Sequence, residues 1–324
     1  MQTIVVTGAS GIVGKALVAE LARNSDFEVR VLSRNPQRDL NDKIFPDNVA
    51  VVVGDLLDAS SIKTLLLPDC VVIHLAYLWN VGEAENLKVT KNLLDACRDT
   101  GIKRFVHCST AAVVGRTQVS KITEDTPCQP VTEYGITKLR IEQEILRSAV
   151  DHAFDVVVLR PTAVFGREGE QLRKLVNDLT FGNVWLNYAK SCLFGRRKMN
   201  LVHMTNVIAA IMFVVRIEGS LNGNIFILSD DEDPKNNFSD VEHFLMNALD
   251  IKRYPLPKIM LPTWILSTLL KMRGRNNVNP MCEYDSSKLK NLGFERLVAL
   301  EAGLTEYANA YRSAYLSESR GRDL

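Results

Sequence analysis

Along the first two-thirds of the chain, short apolar runs alternate with longer stretches in which apolar residues recur every three or four positions. TIVVTG, EVRVLSR, VAVVVGD, CVVIHLA, RFVHCST and FDVVVLRP are short, valine-rich and bounded by turn residues, which predicts strands. Their near-continuous apolarity suits strands covered on both faces, as in a parallel sheet flanked by helices. Helical periodicity fills the intervals 13–24, 59–67, 83–100 and 134–152. This βαβ alternation predicts an α/β fold built on a Rossmann-type, doubly wound parallel sheet.

After Arg160 the pattern changes. Residues 166–200 read as helical and then irregular, the segment from His203 as an amphipathic helix, and NIFILSD as a strand returning to the sheet. From Asp230 onward the sequence is helical and rich in loops. The expected organisation is a sheet domain over 1–165 with a return segment near 201–229. A smaller, mostly helical lobe is expected from 166–200 and 230–312, followed by a polar tail at 313–324.

Composition narrows the class. The chain of 324 residues is 46% hydrophobic and 24% charged, as expected of a soluble globular protein. Its net charge of +1 supplies no overall field to recruit nucleic acid or a membrane. Cys70, Cys97, Cys108, Cys128, Cys192 and Cys282 are scattered without metal-ligand spacing, so reduced thiols and no metal site are expected. The start lacks a basic leader segment, which together with the reduced thiols predicts a cytoplasmic protein. The longest apolar stretch, IMLPTWILSTLL, holds a proline and falls short of the roughly 20 residues that span a bilayer. It reads either as lobe core or as the wall of an apolar pocket.

The first strand runs into TGASGIVG, which places Gly8, Gly11 and Gly14 at intervals of three where an apolar-periodic helix opens. The first glycine permits the turn, the second lets backbone N–H groups approach a pyrophosphate, and the third lets helix and strand pack closely. The helix N-terminus adds partial positive charge for the phosphates. The sheet domain therefore reads as dinucleotide-binding, and the lobe as substrate-binding. The second strand ends in Ser33 and Arg34, with no carboxylate to accept from the ribose 2′-hydroxyl of NAD. Arginine there favours the 2′-phosphate of NADP, so NADP(H) is favoured over NAD(H). Asp55, ending the third strand, is placed either to accept from the adenine amino group or to cap the next helix.

VTEYGITKLRIEQEIL puts Tyr134 and Lys138 one helical turn apart, hence on one face. A free tyrosine with a pKa of about 10 is a poor acid–base catalyst at neutral pH. A nearby ammonium and an oxidised nicotinamide would favour the phenolate, letting tyrosine exchange a proton with an alcohol oxygen as hydride moves. Ser109 and Thr110 emerge from the fifth strand at the carboxyl edge of the sheet, where open α/β sheets bind ligands.

Glycine turn, hydroxyl pair, tyrosine and lysine arrive in the order that resembles the extended short-chain dehydrogenase/reductases, the NAD(P)-dependent epimerase/dehydratase family. The resemblance covers nearly the whole chain, to DSSKLKNLGFE. It implies Thr110, with Ser109 beside it, as the catalytic hydroxyl, Tyr134 as the acid–base group and Lys138 as its partner. It also implies cofactor contacts from Ser10 and Ile12 in the turn, Leu56 beside Asp55, Leu75 and Ala76 after the fourth strand, and Pro161 and Val164 in RPTAVFG. A homodimer through two helices per subunit, one of them carrying Tyr134, is implied as well.

Departures shape the chemistry. Family members that dehydrate sugars carry an Asp-Glu pair where this chain has Ala111 and Ala112, and Cys108 does not match the cysteine of 3,5-epimerases. Ala163, Met199 and Asn206 replace an asparagine, an arginine and an aspartate common in nucleotide-sugar enzymes. Arg196, Arg197 and Lys198 offer a shifted register for a substrate pyrophosphate, with a solvated basic turn as the alternative. What the resemblance then implies is hydride exchange with a nucleotide-linked, UDP-type sugar by a 4-ketoreductase or 4-epimerase, in polysaccharide precursor synthesis. A reductase of a lipophilic, steroid- or flavonoid-like ketone keeps the chemistry and changes the substrate. A cofactor-sensing binding protein is a third reading, and the tyrosine–lysine pair argues against it.

Overall fold

The computed structural model describes residues 1–150, 153–167, 169, 171–272 and 279–320. In chain order the elements are β1 (Gln2–Thr7), α1 (Ile12–Ala22), β2 (Phe27–Ser33), α2 (Pro36–Asn41), β3 (Ala50–Val53), α3 (Ala59–Lys63), β4 (Val71–His74), α4 (Glu83–Thr100) and β5 (Arg104–Cys108). They continue as β6 (Lys121–Ile122), α5 (Glu133–Ser148), β7 (Asp155–Pro161), β8 (Ala163–Phe165), α6 (Arg173–Phe181), α7 (Val184–Phe194), β9 (Leu201–His203) and α8 (Met204–Arg216). The last are β10 (Asn224–Leu228), α9 (Phe238–Ala248), α10 (Thr263–Met272), β11 (Glu283–Tyr284), α11 (Ser287–Lys290) and α12 (Leu300–Arg320). The chain divides into two compact units, one of Met1–Val113, Thr132–Arg160 and Ile208–Phe226, the other of Val114–Val131, Pro161–Val207 and Ile227–Leu324.

The first unit is built on a seven-stranded sheet of order β10-β7-β5-β4-β1-β2-β3, in which the pairs from β3 through β7 are all parallel. Chain order reverses between β1 and β4, which opens a crevice at the carboxyl edge of the sheet. Val5, Val72 and Phe105 project into a buried cluster with Ile62, Leu93, Ile141 and Ile145, so α3, α4 and α5 cover that face. Arg104, 2% exposed, pairs with Asp155 and donates to the carbonyls of Ile217 and Gly219, holding groups that the end of α8 leaves without helical partners.

The seven strands predicted for this sheet all form, NIFILSD as β10, and so do its long helices. Boundaries moved for local reasons. Helix α1 spans Ile12–Ala22, α3 starts at a cap from Asp58 and lasts five residues, and α5 starts one residue early because Thr132 Oγ1 accepts the Gly135 N–H. Helix α5 ends at Ser148, short of the expected 152, and residues 151–152, 168, 170 and 273–278 lie outside the described residues. The six-residue α2 is too short to show a period in the sequence.

The second unit packs α6, α9 and α12 around Phe165, Leu172, Val176, Val241, Leu245 and Leu304. Residues 166–200, expected to become irregular, form two helices split at Gly182-Asn183, and the Asn183 side chain caps α7. Helix α10 departs most from expectation. Leu266 is its buried residue, whereas Trp264 and Met272 are 68% and 79% exposed, so much of this apolar stretch is not core. Helix α12 runs on to Arg320 through most of the expected tail, whose last four residues lie outside the described residues. No helix among the described residues is long and apolar enough to cross a membrane.

Candidate active site

The turn after β1 is shaped for a phosphate. Gly8 has φ +75°, and a Cβ there would lie 2.6 Å from the Ala76 nitrogen, so the turn and the end of β4 meet only with glycine between them. A Cβ on Gly14 would run into the carbonyl groups of Gly8 and Ala9, which keeps α1 tight on its strand. Gly11 differs: a Cβ there would meet one atom, the Gly8 oxygen at 3.3 Å, and Ser10, Gly11 and Ile12 are exposed. Gly11 caps α1 with no side-chain hydrogen bond, and the first turn holds no acid. The positive end of the helix therefore faces outward, and these residues fit a dinucleotide pyrophosphate.

Beside it, Ser33 is turned inward. Its hydroxyl donates to Asp39 and accepts the Asn35 N–H at 3.1 Å, and both Ser33 and Asp39 are buried. Arg34 is exposed at the same strand end, so the outward charge there is cationic. Asp55 does not cap α3, because Asp58 does; Asp55 Oδ1 accepts the Leu57 N–H at 2.9 Å instead. Leu56 is buried, and Leu75 and Ala76 sit half-buried after β4.

The strand-end hydroxyls and α5 converge as their order in the chain suggested. Tyr134 stands in the first turn of α5, with the Thr110 hydroxyl near enough to favour its phenolate. The Ser109 hydroxyl is buried without a hydrogen-bond partner, a group waiting for one. Ala111 and Ala112 form a tight turn with no acid or base on it. Lys138 is 3% exposed; its Nζ donates to the Cys108 carbonyl at 3.1 Å and lies 5.3 Å from the centre of the Tyr77 ring. Burial lowers the Lys138 pKa, opposed by Cys108 and by Glu142 one turn on.

The phenol of the protein alone is held protonated. Burial pushes the Tyr134 pKa up to about 12, the Cys108 thiol adds to this, and the Thr110 hydrogen bond only partly opposes it. The Lys138 ammonium, one turn away on the same helix, is held by the Cys108 carbonyl and lies over the Tyr77 ring. An oxidised nicotinamide brought beside the phenol would add positive charge and favour the phenolate.

Several residues at this site escaped the sequence reading. The Trp79 ring stacks on Tyr134 at 5.1 Å and 12°, and Tyr77 meets the same ring edge-on at 5.0 Å. The phenol is thus clamped by two aromatic side chains from the loop after β4. Below, His74 and His107 stack at 5.3 Å, and His74 Nδ1 is 2.7 Å from Thr7 Oγ1. Burial, then the Lys138 charge, lowers both imidazoles, His74 to about 3, so both are neutral beneath the lysine. The near-continuous apolar letters VVIHLAYLW carried a signal only for a strand and its turn.

The other predicted residues belong to the second unit. Pro161 is buried and Val164 lies in β8, paired with Val202 of β9. Arg196 and Arg197 are exposed in the turn after α7, whereas Lys198 is bound to Glu283 at 2.6 Å. Asn206 serves structure: its Oδ1 accepts the N–H groups of Leu297 and Val298, and its amide donates to the Val298 carbonyl. Among the described residues no group of His, Cys, Asp and Glu could hold a metal.

A doubly wound sheet with an outward-facing glycine turn, and a phenol held beside a strand-end hydroxyl, define an enzyme that exchanges hydride through a nicotinamide dinucleotide. The chain belongs to the NAD dependent epimerase/dehydratase family, whose profile matches residues 4–228. It is 27% identical to a UDP-glucose 4-epimerase of Vibrio cholerae over 97% of this chain and 96% of that one. It is 23% identical to the N-acetyl-alpha-D-glucosaminyl-diphospho-ditrans,octacis-undecaprenol 4-epimerase of Escherichia coli O157:H7, covering 94% and 93% of the two chains. The fold is shared with a UDP-glucuronic acid 4-epimerase from Bacillus cereus in complex with NAD (TM-score 0.70, 20% identity, 97% and 98% coverage).

Proposed function

We propose that this protein is a 4-epimerase of a nucleotide-linked hexose, with UDP as the carrier, working on polysaccharide precursors. The observation that carries the reading is the Tyr134 phenol with the Thr110 hydroxyl and the buried Lys138 about it, and alanines where dehydration would need carboxyl groups. The length-spanning similarity to a UDP-glucose 4-epimerase supports the substrate. When bound, the nicotinamide supplies the hydride acceptor and donor, and its positive charge favours the Tyr134 phenolate. Tyr134 takes the proton of the sugar hydroxyl in the oxidising half and returns one to the same oxygen in the reducing half. Thr110 and the unpartnered Ser109 hydroxyl hold that oxygen by hydrogen bonds, and Trp79 and Tyr77 fix the plane of the phenol. Lys138 maintains a cation under the site, and Arg196 and Arg197 bind the substrate diphosphate.

Incubated with UDP-glucose or UDP-N-acetylglucosamine, the protein is expected to interconvert the 4-epimers, read by proton NMR of the anomeric signals. Net oxidation or reduction without epimer formation would move the assignment to a 4-ketoreductase. A sugar on a polyprenyl diphosphate is a second reading, favoured by the exposed apolar face of α10. A lipophilic ketone, of steroid or flavonoid type, keeps the same chemistry and is the reading to test if no nucleotide sugar is turned over.

The cofactor reading is NADP(H), contacted by Gly8, Ser10, Gly11, Ile12, Gly14, Arg34, Leu56, Leu75, Ala76, Pro161 and Val164, with Asp55 at the adenine. Exposed Arg34 beside an inward-facing Ser33 supports it. Arg34→Ala is expected to weaken NADPH binding about tenfold or more and leave NADH binding unchanged, as befits loss of one charged hydrogen bond. Isothermal titration with both cofactors checks this, and a wild type that prefers NADH would overturn it. A homodimer through α4 and α5, resident in the cytoplasm, completes the reading.

A further inference from the structure

The net charge of +1 hides an uneven distribution. The chain carries no Asp or Glu between Asp178 and Glu218, and none between Asp250 and Glu283. Within the second unit these two acid-free segments lie side by side. Tyr188 on α7 donates to the Pro257 carbonyl at 2.8 Å, and the Leu261 N–H donates to the Cys192 carbonyl at 3.0 Å. On them stand Trp185, Leu186, Leu256, Ile259, Trp264 and Met272, each between 50% and 79% exposed. Lys252, Arg253 and Lys271 are exposed on the same stretch, whereas Lys190 and Lys258 are tied to Asp178 and Glu242.

Exposed tryptophans and aliphatic side chains together with unopposed cations match the physical chemistry of a membrane–water interface. Indole rings settle at the headgroup level, aliphatic groups enter the acyl boundary, and lysine and arginine meet anionic headgroups. A second copy of the chain fits poorly, because a twofold contact would bring the cations of both copies into one interface with no carboxylate on either segment to neutralise them. Helix α10, with ten residues, can lie at the surface and cannot span.

We propose that this face docks the protein reversibly on an anionic lipid bilayer. The docking is independent of which carrier bears the sugar, so it stands or falls separately from the epimerase reading. Full-length protein is expected to cosediment with vesicles of phosphatidylethanolamine and phosphatidylglycerol, more weakly at high salt, and not with phosphatidylcholine vesicles. Ile259→Ser with Trp264→Ser should reduce the bound fraction at least tenfold. Lys252→Gln with Arg253→Gln should weaken partition roughly fivefold for each charge removed. Tryptophan emission of the wild type should shift to the blue and be quenched by brominated phosphatidylglycerol, a readout that needs no variant. Absence of binding to anionic vesicles at low salt overturns the proposal, as does binding unchanged in both folded variants. So does a lipid-free, concentration-dependent dimer that Trp264→Ser abolishes, since a second copy would then cover the face.

Discussion

Tyr134→Phe is expected to lower kcat by roughly two to four orders of magnitude, the range that a positioned proton-transfer group supplies. The substitution removes one oxygen and little else. The ring stays between Trp79 and Tyr77, whose centroids lie 5.1 and 5.0 Å away, so the loop after β4 keeps its packing. Loss of one hydroxyl costs about 1 kcal/mol of stability or less, far too little to unfold the sheet. Cofactor affinity, measured by titration, should hardly move, because the pyrophosphate cradle at Gly8 to Gly14 lies on other elements. The decisive comparison is turnover against cofactor binding in the same preparation. A variant that binds cofactor normally and turns over within a few-fold of wild type would remove Tyr134 from the chemistry. The site would then have to be read as a binding surface.

The parts legible in the sequence were those whose signal is local. β1, its turn and α1 form one contiguous stretch, and each glycine spacing has a backbone reason visible in Gly8 and Gly14. Tyr134 and Lys138 share a helix face by spacing alone. The aromatic clamp was not legible, because Tyr77, Trp79 and Tyr134 meet only after β4 and α5 are placed. The Asp55 and Asp58 roles were ambiguous for a related reason: either could cap a helix beginning near residue 59, and geometry chose Asp58. Helix α10 marks a deeper limit. An apolar stripe has the same periodicity whether another element covers it or not, so Trp264 reads alike as core, as pocket wall and as surface. The phenol's raised pKa was hidden as well, since burial, its largest cause, belongs to tertiary packing.

Glu142→Ala is expected to cost about 3–5 kcal/mol of stability, the largest structural effect predicted for this chain. Glu142 and Arg160 have side chains 1% and 4% exposed, joined by contacts of 3.1, 3.1 and 2.7 Å that tie α5 to β7. Deleting the carboxylate leaves a guanidinium in the interior without its counter-charge, whereas an exposed pair such as Arg147 with Glu144 should cost about 1 kcal/mol or less. The effect also reaches the chemistry. Glu142 stands one turn beyond Lys138 and raises its pKa, so the variant makes a lysine cation beneath the phenol harder to keep. Thermal melts should show the loss directly, and turnover at a temperature where the variant remains folded should fall as well. The companion double variant, Glu142→Leu with Arg160→Leu, separates charge from packing. If it recovers most of the stability but not the turnover, the pair is present for the electrostatics of α5 rather than for holding the fold. If the double variant is as unstable as the single one, shape complementarity between α5 and β7 carries the energy, and the ion pair is incidental to it.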